Sequence, residues 1–273
     1  MNRFRIIGLI IGILFSFTTK AQKAEKIVSL APSLTKNIYY LEAQSQLVGC
    51  TSYCTEALAE NKEAVASAIK VNIEKTISLQ PDLIIVTTIT ASETIKLLEN
   101  FDIQVEVFSS PKDFTQICEQ FKRLGKLVGK EEMAKQIIDK SAQTVNRIKA
   151  SFSNEPSKEI LFQIGAEPIF TVLPNTFMND YITFTNGQNI ASGKIGGTLT
   201  REFVLMKNPA YIFIVTMGIV GEEEKKVWEA FEDLNAAKNQ HIYIVDADKA
   251  CSPTPVTFAE TLETVANFMH QQP

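Results

Sequence analysis

Apolar residues fall in two rhythms along this chain. Short, nearly unbroken runs at 27–30, 83–86, 105–108, 160–164, 211–215 and 242–245 read as strands. Their continuous rather than alternating character suits parallel sheets covered on both faces. Between them the period lengthens to that of helices, predicted over 33–40, 72–80, 93–100, 113–127, 177–185, 228–234 and 258–269. Ala31-Pro32 stops the first strand and Ser33 is placed to cap the helix that follows, with Val48-Gly49 closing that unit. Asn72 is placed to cap the next helix, which must end before Pro81 because a proline drives its predecessor out of helical geometry. Strand and helix alternate throughout, which predicts an α/β fold with parallel sheets and right-handed crossovers.

The longest helical pattern runs over 130–152. Met133, Ile137, Ile138, Val145, Ile148 and Phe152 recur at helical steps, and Glu131, Lys135, Lys140, Arg147 and Lys149 fill the gaps without a Gly or Pro to interrupt them. A helix of that length spans about 34 Å, the width of a domain. It is read as a strut between two lobes, 22–129 and 153–273. An internal repeat at an offset of 128 supports two lobes of one design: Asn72, Glu74, Pro81 and Ile84 are answered by Thr200, Glu202, Pro209 and Ile212. Each set spells a cap, a carboxylate in the first helical turn, a proline and a buried strand. The helix dipole explains either carboxylate alone; twinned on two lobes, they would also suit a partner with two basic patches.

At the start of the chain, Arg3 and Arg5 precede an apolar run from Ile6 to Phe17 and a small-residue stretch ending at Ala21. That is the form of an export signal occupying residues 1–21, the run being well short of the roughly 20 residues that span a bilayer. With no Cys near the cut, a soluble exported protein is expected rather than a lipid-anchored one. The mature part carries 24 basic against 31 acidic residues, a net charge of −7, so nucleic acid and anionic membranes are poor partners. Four cysteines remain in an exported chain, where disulfides persist. Cys50 and Cys54 can bridge if the intervening loop folds back; three full pairings exist and the sequence does not choose among them.

Enzymatic motifs are missing. The chain has two histidines, His241 and His270, neither near a nucleophile, and none of the serine-elbow, phosphate-loop or dinucleotide glycine patterns. Two histidines are also too few for a three-His site, so no bare metal is expected. Open α/β sheets bind ligands at the C-terminal ends of their strands. There the chain places Tyr53, the Ile89-Thr90 region, Phe170, Gly196 and the run from Asp248 through Cys251 and Ser252 to Pro253. The Tyr53 and Phe170 rings offer surface to a large ligand with apolar faces.

Several segments together resemble the periplasmic binding proteins for vitamin B12, haem and ferric siderophores. They are the stretch from Lys26 to Ser33, Leu47-Val48-Gly49 followed by Tyr53, Asn72-Ile73-Glu74 leading to Gln80-Pro81-Asp82-Leu83-Ile84, and Pro168-Ile169-Phe170-Thr171. The similarity covers about 25–270 and leans toward the vitamin B12-binding branch. It implies two Rossmann-like lobes joined by one long rigid helix, a monomer that holds a corrinoid between the lobes and delivers it to an ABC importer's permease and ATPase. Ferric siderophore or haem is the next choice of ligand, and an enzyme on the same scaffold is the competing class. The resemblance implies ligand contact at Tyr53 and Phe170, to which Asn72, Thr88, Gly196, Asp248, Cys251 and Ser252 are added, and permease docking through Glu74 and Glu202. It also exposes departures. The tryptophan positions of B12-binding relatives fall near Val71, Thr88 and Gly196, and the basic residue after the last Pro-x-Pro is Val256.

Overall fold

The computed structural model describes residues 23–67, 70–215 and 221–270; the predicted export signal at 1–21 lies outside them. The first lobe runs β1 (Ile27–Ser29), α1 (Pro32–Tyr40), β2 (Leu47–Thr51), α2 (Thr55–Ala59), β3 (Glu63–Ala66), α3 (Ile73–Ser78), β4 (Leu83–Thr87), α4 (Ser92–Glu99), β5 (Gln104–Phe108) and α5 (Phe114–Leu127). Its five strands pair in parallel in the order β3-β2-β1-β4-β5. The chain moves outward from β1 in both directions, so the C-terminal ends of β1 and β4 flank a topological switch point, where such sheets leave a crevice.

Next comes α6 (Glu131–Ser151), unbroken for 21 residues. Its two halves belong to different cores. Ala134, with Met133, Ile137 and Ile138 beside it, packs into the first lobe, whereas Val145, Ile148 and the following Phe152 pack among Phe162, Tyr181, Phe213 and Phe258 of the second. Gly125 of α5 lets the first contact form. A Cβ there would lie 2.6 Å from the Cβ of Ala134, closer than two methyl groups can approach.

The second lobe contains β6 (Lys158–Gly165), β7 (Ile169–Thr171), α7 (Asn179–Thr183), β8 (Gly187–Asn189), β9 (Thr198–Leu199), α8 (Arg201–Lys207), β10 (Tyr211–Val215), α9 (Gly221–Glu229), α10 (Asn235–Lys238), β11 (Ile242–Val245), α11 (Ala247–Ala250) and α12 (Pro255–His270). Its sheet runs β11-β10-β6-β7-β9, with β8 also on β6. Here the expectation of parallel strands throughout is corrected. The β6/β7 and β7/β9 pairs are antiparallel, while β10, β11 and β8 are parallel to their neighbours. Only three residues join β6 to β7, too few for a crossover, so the chain must double back.

Local expectations are corrected at three further places. Ala31, not Ser33, occupies the cap of α1, because Pro32 takes the first helical position. Val48-Gly49 lies within β2 rather than ending a turn. The helix expected over 228–234 ends at Glu229, having begun at Gly221, and the chain turns before α10.

The lobes also meet at the start of α5. Asp180 of α7 accepts a 2.9 Å hydrogen bond from the Phe114 N–H, and Phe114 stacks on Phe258 with ring centroids 4.7 Å apart. Burial raises the Asp180 carboxyl above the ordinary value against the pull of that N–H. A carboxyl raised on folding leaves the fold unpenalised below its unfolded pKa and carries the full penalty above its folded one. Asp180→Asn keeps the acceptor and removes the charge. We expect it to melt higher than wild type at pH 7 and to converge with it near pH 3; a constant offset between the two thermal scans would refute this origin.

Candidate functional site

The crevice between the lobes holds a cavity of about 510 Å³. Residues from α1 (Ser33, Leu34, Asn37) and the ends of β4 and β5 (Thr87, Phe108) form its first-lobe wall. Phe170, Phe177, Met178, Cys251 and Pro253 are among those forming the other. A second hollow of about 540 Å³ continues over the first lobe past Tyr53 and shares Ser33, Thr87 and Ile89 with it. Together they make one cleft at the switch point. Large apolar side chains stand open at its edges: Ile89 is 84% exposed, Tyr53 62% and Phe170 45%. Apolar surface left uncovered in this way marks a binding groove. Among the described residues, Lys70 is the one charged residue lining the two hollows.

Away from the cleft, the repeat seen in the sequence is a repeat in structure. Asn72 Oδ1 accepts from the Lys75 N–H at 2.9 Å to cap α3, and Thr200 Oγ1 accepts from the Phe203 N–H at 3.2 Å to cap α8. Both helices end in a residue of left-handed backbone directly before a proline, Gln80 (φ 50°) and Asn208 (φ 48°). Glu74 and Glu202 sit at the second position of their helices, each exposed. The Glu202 carboxylate accepts from its own N–H and then from the Thr200 hydroxyl, which holds its pKa below the ordinary carboxylate value.

A sequence model of the periplasmic binding protein family matches residues 27–249. The chain belongs to that family. It is 28% identical over 260 residues to the uncharacterized ABC transporter substrate-binding lipoprotein YvrC of Bacillus subtilis, covering 92% of this chain and 82% of that one. It is 25% identical over 261 residues to the vitamin B12-binding protein of Vibrio vulnificus, covering 94% of each. The fold matches the periplasmic haem-binding protein of Vibrio cholerae with a TM-score of 0.78 at 17% identity, over 90% of this chain and 99% of that structure.

In this periplasmic binding protein the ligand-contact residues expected from sequence divide into two sets. Tyr53, Phe170 and Cys251 line the cleft. The others do not. Asn72 uses its side chain as a helix cap. Thr88 is displaced by Thr87, which lines both hollows; the Thr88 backbone N–H is bound to the Phe108 carbonyl at 3.1 Å. Gly196 faces open space, and its neighbour Gly197 lines the cavity instead, its carbonyl accepting from the Thr171 N–H at 2.8 Å. Asp248 and Ser252 act through their carbonyls. Asp248 O takes the Lys36 ammonium of the first lobe at 3.1 Å, and Ser252 O receives the Thr254 N–H at 2.8 Å and the Thr257 hydroxyl.

Sequence reasoning passed over Asn37, Phe177 and Met178. A polar residue four positions after Ser33 in a helix leaving the switch point was the available signal for Asn37, since the two share one helical face.

Cys50 and Cys54, for which the sequence left both a bridge and free thiols open, are free here, as are Cys118 and Cys251. Cys54 Sγ lies 3.2 Å from the hydroxyls of both Thr35 and Thr51. Its hydrogen bond with Cys50, then those hydroxyls, lower its pKa below the ordinary thiol value against the opposing effect of burial. The same bond and burial push Cys50 up. Both thiols lie in the core of the first lobe. Among the described residues no group of three His, Cys, Asp or Glu side chains could hold a bare metal ion.

Proposed function

We propose that this protein is the substrate-binding component of an ABC importer, exported and acting as a soluble monomer. It takes an uncharged metal chelate with broad apolar faces between its lobes and passes it to a membrane permease and its ATPase. A corrinoid is the leading ligand. The observation that carries this reading is the cleft lining, which is rich in rings, aliphatic chains, hydroxyls and amides, with Lys70 as the single charge among the described residues. Burying two carboxylates or a multiply charged catecholate against a single cation is costly, which disfavours haem, with its two propionates, and anionic ferric siderophores. A corrinoid presents carboxamides at its rim instead, which match hydroxyl and amide partners. The exposed rings of Tyr53 and Phe170 supply contact area to its flat faces. Similarity to a vitamin B12-binding protein along nearly the whole chain supports the same choice. Catalysis forms no part of the reading: the lining residues act by shape and hydrogen bonding. Among the described residues no helix is long and apolar enough to cross a membrane.

The test is a thermal and calorimetric titration of the mature protein with cyanocobalamin, haemin and a ferric tricatecholate. Cyanocobalamin at about 100 times its dissociation constant is expected to add about 2.7 kcal/mol to stability, with little change from the two anions. Preferential binding of haemin would sink the corrinoid reading.

A further inference from the structure

Among the described residues, the buried side-chain oxygens of Asn37, Gln44 and Gln46 lack a hydrogen-bond partner. Only Asn37 belongs to the cleft lining. It lies in the middle of α1 and is 4% exposed. Its backbone carbonyl is used, accepting from the Leu41 N–H at 3.1 Å, but its side-chain Oδ1 accepts nothing. A buried amide oxygen left in this way costs the empty protein its desolvation. Asn37 also stands on the face of α1 that carries Ser33 and Leu34, both of which line the same cavity.

We infer that Asn37 is the polar anchor and a specificity-determining residue of the cleft, its amide turning about χ2 on binding so that Oδ1 receives an N–H or O–H of an uncharged ligand. This rests on the proposed capture of a neutral chelate and adds the chemistry by which the ligand is oriented. The hydroxyls of Ser33, Thr87 and Ser110 line the same cavity and make no side-chain hydrogen bond within the described residues, so they complete a neutral polar set around the amide. An amide offers both an acceptor and N–H donors, and with no charged residue among the described ones lining this cavity the set favours carboxamide, hydroxamate-peptide or alcohol groups over carboxylates. A site built to hydrogen-bond a ligand donor discriminates strongly against analogues lacking it.

The experiment compares wild type with Asn37→Leu, close in volume and unable to hydrogen-bond, by calorimetric titration with cyanocobalamin, ferrichrome and haemin, and by melting without ligand. Asn37→Leu is expected to bind cyanocobalamin about 10- to 100-fold more weakly while its empty form melts about 2–4 °C higher, having lost an unpaired buried group. Unchanged affinity overturns the inference and leaves the corrinoid reading standing. A lower melting point of the empty variant also overturns it, by showing the side chain to be structural. If wild type ignores cyanocobalamin but binds the uncharged ferrichrome, and the variant loses that binding by a similar factor, the corrinoid reading fails and the inference holds. Equal haemin binding by both proteins, or binding of none of the three probes by wild type, overturns both. Should leucine prevent folding, Asn37→Ala carries the same binding comparison.

Discussion

Cells whose only copy carries Glu74→Ala with Glu202→Ala are expected to import cyanocobalamin at less than a tenth of the wild-type rate. The purified double variant should bind ligand within about twofold of wild type. Both carboxylates are exposed, and neither is among the residues lining the cleft, so removing them leaves the ligand's surroundings intact. Nor should the fold suffer much. The caps of the two helices come from Asn72 and Thr200, which remain. What disappears is one exposed negative charge per lobe, each fixed at a rigid helix start on one of two matching strand-helix units. Carboxylates so placed can form charge-assisted, two-pronged bonds with arginines of a partner. Two such contacts held at a fixed separation reinforce each other, because forming one makes the second intramolecular. Single variants should therefore lie well above the double variant in uptake. Undiminished transport by the double variant would refute docking through these residues.

That pair was legible in the sequence because capping chemistry is local: a cap, a carboxylate two residues on and a proline can be read without knowing the fold. The strands with continuous apolar runs were equally plain, and β10 and β11 fall on their predicted residues. Where the signal depended on tertiary contacts, it vanished. β2 contains Gly49, ordinarily a strand weakener, because a Cβ there would come within 2.8 Å of Leu79. β3 is an edge strand beginning with the exposed Glu63, so it offers no apolar run. The charged start of α9, Glu222 to Lys226, has no apolar period to mark it as a helix, and its buried Glu224 could not be recognised without its partners. The cleft was half legible for the same reason. Exposed rings at strand ends can be guessed, but Asn37 looks like any polar position on a helix until it is seen to line the cleft.

Glu224 leads to the largest stability effect expected away from the cleft. Trp228 Nε1 donates to Gln163 Oε1 at 2.8 Å, and Gln163 Nε2 donates to Glu224 Oε1 at 2.9 Å. Arg201 closes the set, donating to Glu224 Oε1 at 3.0 Å and Oε2 at 3.2 Å while its guanidinium lies 4.5 Å from the centre of the Trp228 ring. Trp228 and Gln163 are fully buried and Glu224 nearly so, whereas the Arg201 side chain retains about a quarter of its exposure. Arg201→Ala strands a buried carboxylate and removes the cation from the indole face, which should cost about 3 kcal/mol. For a protein of this size that lowers the melting point by about 6–12 °C. A buried pair is worth little more than well-packed apolar groups of similar volume, so the double replacement Arg201→Met with Glu224→Leu should recover most of the loss. The recovery will be incomplete, since Gln163 Nε2 then keeps only the Gly165 carbonyl, at 3.0 Å. Arg201 is also the first residue of α8, next to Glu202. The network therefore fastens the start of that helix to the sheet, and Arg201→Ala should lower uptake more than ligand affinity. Denaturant melts of the single and double variants decide the matter: a loss under about 1 kcal/mol for Arg201→Ala would show that the carboxylate finds water instead, and a double variant no better than the single would show that packing rather than charge governs the site.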